Sequence, residues 1–285
     1  MTTPPEPVVG ERRHLLNLAY RLLGSLAEAE DAVQETYARW YALTPAQRAA
    51  ISSPGAWLTT VADRICLDVL GSARARREQY VGEWLPEPVP DQPDSVADRI
   101  TLDESVTMAF LVTLEAMTPA QRVALVLHDV FGYAFAEVAE ITGRTPAACR
   151  ELASSARRRV RAARPAAPAT GHADVIRDFK QAWEAGDIEA LIGLLDPGAT
   201  LTADGGGVVR AALHPIEGGA EVARYVAALT AGPLTLVERT VNGLPGLLLT
   251  RDGDLAAVYA FDVADGRITR IWAMRNPEKL RPWLG

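Results

Sequence analysis

The chain has 285 residues, 48% of them hydrophobic and 23% charged, with a formal net charge of −7. That length allows two or three domains, each with its own core, and the composition is that of a globular protein rather than a disordered or fibrous one. No apolar run approaches the roughly 20 residues that span a bilayer. The N-terminus, Met1 to Glu6, lacks the basic start and apolar core of a signal peptide. Cys66 and Cys149 fall in separate apolar helical settings, so they read as reduced core residues rather than disulfide partners or metal ligands. A cytoplasmic setting follows, with no membrane partner.

Residues 10–78 read as a helical domain. Arg12–Leu23 carries Leu15, Leu18, Ala19 and Leu22 on one side and is broken at Gly24-Ser25. Ser25, with Glu28 three residues on, predicts a capped start to the next helix. That helix, Leu26–Tyr41, places Leu26, Ala29, Val33, Tyr37 and Trp40 on an apolar stripe and leaves Glu28, Asp31, Gln34 and Glu35 around it. Ala42–Gly55 reads as a loop. A third helix starts at Trp57, with Leu58, Val61, Ala62, Ile65 and Val69 inward and Trp57, Thr60, Arg64 and Asp68 at spacings of three and four on the other side. Trp57 beside Thr60 and Arg64 fits a platform for unstacked bases; a core plug paired with a structural Arg fits equally.

Residues 79–100 form a Pro-rich, acidic linker that excludes helix and favours an extended path. It contains Trp84-Leu85-Pro86-Glu87-Pro88, an apolar pair inside a polar stretch.

The next block, 101–164, holds an apolar helical run at Val123–Leu127, a short helix with Phe135, Val138, Ala139 and Ile141 at helical spacing, and the turn Thr142-Gly143-Arg144. A further helix follows, with Thr145 as N-cap and Pro146 at its first position. Helix, Gly-containing turn, helix is the helix-turn-helix layout. At 100° per residue, Arg150, Ser154, Arg157 and Arg161 share a face with Arg158 at its edge, while Ala148, Cys149, Leu152, Ala156 and Val160 oppose them. Guanidinium forks pair two acceptors at once, on phosphate or on guanine, so this face fits a major groove; the alternative is a solvated basic helix. Charge is a constraint here: up to Arg164 there are 18 basic and 21 acidic residues. Affinity for DNA rises with the phosphates neutralised, so the chain by itself holds DNA weakly and needs a larger partner to deliver it.

A second linker, 165–171, leads to residues 172–285, where composition turns from helical to β-rich. Asp174–Leu195 reads as helix, interrupted at Gly186. Four strands follow, at Leu234–Val241, Leu247–Thr250, Leu255–Val263 and Ile268–Met274. Asn242-Gly243, Asp252-Gly253 and Asp265-Gly266 separate them as hairpin turns. Helices ahead of an antiparallel meander give an α+β domain.

The two helical blocks together resemble the extracytoplasmic-function (ECF) sigma factors of the sigma-70 family. Ala19–Tyr41 and Pro54–Leu70 are similar to sigma region 2, and the helix-turn-helix is similar to region 4. The fold class this implies is multidomain: two all-α domains followed by an α+β cone with a curved antiparallel sheet. By position, the resemblance puts Asp31, Gln34 and Glu35 on the β′ clamp helices of core RNA polymerase. It puts Trp57, Thr60 and Arg64 on the −10 promoter element, and Arg150, Ser154, Arg157 and Arg158 on the −35 element. Residues 172–285 resemble the SnoaL-like branch of NTF2-like domains, found fused in one ECF subgroup. Trp84–Pro88, Asp204-Gly205-Gly206-Gly207 and Asn276–Leu280 are similar to that subgroup's WLPEP, DGGGK and NPDKL signatures. Val208 stands where the second has Lys, and Glu278 where the third has Asp.

The subgroup implies regulation in cis by the fused domain, without a separate anti-sigma factor. Trp84, Leu85, Pro86, Asp204, Asn276 and Lys279 are its expected contacts. Neither cofactor nor metal is implied, and no enzymatic activity; a small-molecule ligand in the cone is compatible with the family. The alternative is an NTF2-like enzyme or ligand sensor tethered to DNA by the helix-turn-helix. Its chemistry would fall to residue types such as Asp204, His214 and Tyr225, a base and possible donors for an oxyanion.

Overall fold

The computed structural model describes residues 9–77, 80–91, 100–101, 104–163, 171–229 and 233–284. Its contacts divide the chain into two compact units, and chain order does not set the division. Residues 1–78, 99–101 and 113–162 make the first unit; residues 79–98, 102–112 and 163–285 make the second. Both helical blocks thus fall in one unit. The stretch between them, expected as a spacer, belongs mostly with the C-terminal domain.

In the first unit, α1 (Arg12–Leu23) stops at Gly24, which takes the left-handed conformation at φ 70° and returns its N–H to Tyr20 O. Ser25 Oγ then accepts the Glu28 N–H and starts α2 (Leu26–Ala42). The expected loop at 42–55 contains a short helix, α3 (Pro45–Ala49), closed by a capping box between Thr44 and Gln47. The same Thr-Pro-Ala-Gln-Arg string recurs at 118–122, where it makes the same capping box and starts α6 (Pro119–Leu125). The third long helix begins earlier than read, as α4 (Pro54–Arg77). Its inward face is also less apolar than the periodicity implied: Thr59 and Asp63 are buried with Leu58, Ala62, Ile65 and Cys66.

After α5 (Met108–Glu115) and α6, a π-turn at Val126–Val130 leads to α7 (Phe135–Thr142), Gly143 at φ 64° and α8 (Pro146–Ala163). Thr145 Oγ accepts the Ala148 N–H, as an N-cap should. Buried Arg122 stitches α6 to α1, donating to Leu22 O at 2.9 Å and to Glu115 at 2.7 Å. Arg21 donates to Asn17 and Thr101 O and lies over the Phe131 ring. The region 2-like and region 4-like helices therefore pack together.

In the second unit, α9 (His172–Ala185) ends at Gly186 (φ 67°) and α10 (Ile188–Leu194) follows. The meander appears as read: β3 (Thr235–Val241), β4 (Leu244–Arg251), β5 (Asp254–Ala264) and β6 (Arg267–Met274). Its three tips place Asn242, Asp252 and Asp265 at φ near 50° with glycine next, the two-residue turn that suits strand twist. Two strands were not foreseen, β1 (Leu195–Asp204) and the short β2 (Ile216–Glu217), which directly follows His214-Pro215. β1 runs parallel to β6, so the six-stranded sheet, ordered β2-β1-β6-β5-β4-β3, is mixed rather than wholly antiparallel. A parallel pair needs a long crossover, which here runs from β1 through β2, α11 (Gly219–Ala228) and the meander. The layout is otherwise the expected α+β one, with helices packed on a single sheet.

Both sheet faces are buried. Tyr259, Phe261, Val263, Ile271 and Ala273 face α9–α11, where Phe179 and Trp183 meet Tyr259 and Phe261 edge-on. Val258, Ala260, Trp272 and Met274 face the other way. They pack on Leu85 from the linker, Met108 from the start of α5, and Leu280 and Trp283 from the C-terminal tail.

Candidate functional site

The acidic trio of α2 behaves as its periodicity dictates. Asp31, Gln34 and Glu35 are all exposed, because Ala29, Ala32, Val33 and Thr36 take the buried face. Glu35 is paired to Arg39 one turn on, across solvent; a pair of that kind contributes well under about 1 kcal/mol and leaves the face acidic and accessible.

On α4, Trp57 is half-buried against Trp40, with ring centroids 5.3 Å apart. Thr60 turns its hydroxyl back to Ala56 O. Arg64 is exposed but reaches Glu140 O on α7 at 3.3 Å. The three share a side of α4, and in this packing each already has a protein partner, that of Thr60 lying on its own helix.

On α8, Arg150, Ser154 and Arg158 point outward, while Cys149, Ala153 and Ala156 are buried. Ser154 and Arg158 line a groove of about 590 Å³ with Gln121 and Arg144. Arg150 lies over the Phe135 ring at 5.3 Å, a cation–π contact that leaves its outer edge free for an acceptor. Arg157, expected on the same face, already has a protein partner. Its fork is bidentate to Asp129, at 2.7 and 2.6 Å, and that bond pushes its pKa up. A helical wheel could not see this partner, because Asp129 sits on the π-turn before α7 and comes within reach only when the turn packs on α8.

In the second unit, three distant stretches meet. Asp204, at the end of β1, is wholly buried and accepts four hydrogen bonds at its carboxylate. Tyr80 hydroxyl donates at 2.6 Å, the Leu85 amide at 2.9 Å, the Gly206 amide at 3.0 Å and Lys279 Nζ at 2.7 Å. Lys279 also donates to Leu85 O at 2.6 Å, and its ammonium lies 4.0 Å from the centre of the Trp84 ring. Asn276 Nδ2 donates to the Tyr80 oxygen at 2.9 Å. Trp283 Nε1 donates to Pro88 O, and Leu85, Pro86, Glu87 and Pro88 are all buried.

Physical chemistry explains each residue type. A buried carboxylate is tolerated when paired and saturated with donors, as Asp204 is. Burial, and then the bond to Asp204, raise the Tyr80 pKa, so the hydroxyl stays a donor. Gly206 sits at φ +67°, and a Cβ there would lie 2.6 Å from the Asn276 amide carbon, so only glycine brings the Asp204 loop against Asn276. Val208 is 79% exposed, so the missing Lys of the signature would have stood in solvent, outside this buried cluster.

Asp204, Asn276, Lys279, Trp84 and Leu85 are thus brought together, with Pro86 buried beside them. Tyr80 and Trp283 complete the arrangement and were missed. Tyr80 is an aromatic just upstream of the recognised string at Trp84–Pro88, and Trp283 an apolar residue in a polar tail. Of the candidates for enzyme chemistry, Asp204 is bonded within the cluster and His214 lies on an exposed loop.

Similarity to known proteins agrees with this geometry. Residues 8–77 match the family profile of sigma-70 region 2, and residues 107–160 that of sigma-70 region 4. The ECF RNA polymerase sigma factor SigJ of Mycobacterium tuberculosis is 40% identical over 94% of this chain and 90% of its own length. This chain belongs to the ECF RNA polymerase sigma factors. The probable ECF sigma factor SigI of the same organism is 36% identical over 95% of this chain and 92% of its own. The crystal structure of M. tuberculosis SigJ superposes with a TM-score of 0.78 at 36% identity, covering 96% of both chains. The ECF sigma factor therefore matches its relatives across the C-terminal α+β domain as well as the two sigma regions. Those regions imply binding to core RNA polymerase and promoter DNA.

Proposed function

We propose that this sigma factor is regulated in cis by its C-terminal domain, which holds the linker between regions 2 and 4 through the Asp204–Lys279 cluster. The observation that carries this is the convergence of Tyr80, Trp84 and Leu85 on a saturated, buried ion pair. A spacer with no role has no reason to bury an apolar pair and bond both sides of the Leu85 peptide. Core polymerase is engaged by the exposed face of Asp31, Gln34 and Glu35 on the β′ clamp helices. Trp57, Thr60 and Arg64 serve the −10 element, and Arg150, Ser154 and Arg158 the −35 element. Arg157 orients α8 through Asp129. With control built into the chain, no separate anti-sigma factor is required.

The weak-binding argument supports the same division. A chain with net charge −7 contributes base discrimination while the polymerase supplies most of the phosphate contacts.

The test is full-length Lys279→Met in transcription with core polymerase. Methionine keeps the stem but removes the ammonium, leaving Asp204 unpaired and the Leu85 carbonyl without its donor. Breaking a buried pair in this way costs about 3–5 kcal/mol, enough to free the linker. Transcript yield or promoter choice should change several-fold; wild-type transcription from this variant would refute the proposal.

A further inference from the structure

Asn242 tips the first hairpin, and it differs from the other two tips. Asp252 and Asp265 occupy the equivalent positions with nearly the same φ and are exposed, whereas Asn242 is 1% exposed. The turn itself is met by either residue, so the choice of amide over carboxylate needs another cause.

Its contacts supply one. The Asn242 amide N–H donates to Val89 O at 2.9 Å, and its Oδ1 accepts the Val89 N–H at 3.1 Å. Its Nδ2 donates to Val106 O at 2.8 Å. A bridge between Pro90 and Val241 extends the Val89 pairing onto the end of β3. Val89 lies on the segment that leaves region 2, and Val106 on the segment that leads into region 4; both are fully buried. A carboxamide has an acceptor for one segment and a donor for the other. Aspartate could hold Val89 but would present an oxygen to the Val106 carbonyl.

We propose that Asn242 is a positioning residue for promoter recognition, a two-ended clamp that ties Val89, on the segment leaving region 2, to Val106, on the segment leading into region 4. The proposal rests on the cis-regulation reading above and deepens it. With both ends on one side chain, Val89 and Val106 are held together at the two ends of the 90–105 stretch. Pulled out, the same stretch spans roughly 50 Å, which at 3.4 Å per base pair corresponds to about 15 base pairs of DNA. Asn242 therefore controls the reach available between the two promoter-reading helices, and with it the tolerated distance between the two promoter elements.

The experiment compares full-length Asn242→Asp and Asn242→Gly with wild type, and Asp252→Asn as a turn control. Glycine keeps the positive φ, so the hairpin survives in at least that variant. Hydrogen exchange is read at residues 84–90 and 104–112, and transcription with core polymerase on templates whose two elements stand at stepped separations. Exchange at 104–112 should rise about tenfold or more in both Asn242 variants, as expected for an unmade buried bond. Asp252→Asn should leave it alone, and the spacing optimum should broaden in step. Wild-type exchange at 104–112 in both variants overturns the clamp. Raised exchange with an unchanged spacing profile leaves the clamp standing and overturns the regulatory reading on which its function rests.

Discussion

Asp63 offers a quantitative test of the packing between the region 2-like and region 4-like helices. It lies on α4, one turn beyond Thr59, with no exposed surface, and neither carboxylate oxygen has a hydrogen-bond partner among the described residues. Burial pushes its pKa from the ordinary 3.8 up to about 8. Around it, the Tyr133 hydroxyl and the Cys66 thiol are raised, first by their own burial and then in part by the charge of Asp63. An acid with a raised pKa stabilises the packed state fully below its unfolded pKa, and that stability is lost as pH climbs through the folded value. At 1.36 kcal/mol per unit, the packing has lost about 4 kcal/mol at pH 7 relative to a permanently neutral side chain.

Asp63→Asn removes this proton linkage but buries an unpaired amide at a cost of roughly 1–3 kcal/mol. The net gain should be about 1–3 kcal/mol at pH 7. More tellingly, the difference between variant and wild type should shrink by about 1.4 kcal/mol for each pH unit from 7 down to 5. Hydrogen exchange at residues 56–70 and 131–142, across pH 5 to 8 with the intrinsic rate divided out, reads this directly. A gap that does not vary with pH would refute the reasoning, because it would mean that Asp63 is ionised or hydrated in the packed state. Arg64 is held to Glu140 in that same packing, so the variant should also initiate more slowly at pH 7.

The remaining expectations concern the two recognition faces. Arg150→Ala should cost about 1–3 kcal/mol of discrimination at one base pair of the −35 element, measured by competition between matched and mutated promoters in the presence of core polymerase; equal loss on all sequences would make it a phosphate contact. Reversing Asp31 and Glu35 to Arg should abolish assembly with core polymerase while leaving the unfolding midpoint nearly unchanged, since both side chains are exposed. Full retention of polymerase affinity would move the docking face elsewhere.

Much of the fold was legible because its determinants are local. The stop at Gly24, the cap at Thr145, the left-handed Gly143 and the three positive-φ hairpin tips are each set by one or two residues. The helix at Pro45–Ala49 was missed although it carries the same Thr-Pro-Ala-Gln-Arg string that starts α6. β5 also carried an unread signal. Its run from Ala256 to Val263 is apolar at nearly every position, the pattern of a strand covered on both faces, and the linker and tail supply the second cover. The parallel pairing of β1 with β6 had no local trace, since it joins residues about 70 apart.

The sequence by itself determined most of the elements and their order, the family, and which side chains of α2 and α8 could face a partner. Tertiary structure decided how those candidates are spent: Arg157 on Asp129, Arg64 on Glu140, Asp204 on Lys279, and Asn242 on both ends of the linker. The reason is one of range. Periodicity and capping act over three or four residues and leave their mark in the string. Pairing of a buried charge or amide depends on a group far along the chain, from 28 positions for Arg157 and Asp129 to 153 for Asn242 and Val89. Nothing in the residues on either side of such a group distinguishes it from one that remains in water.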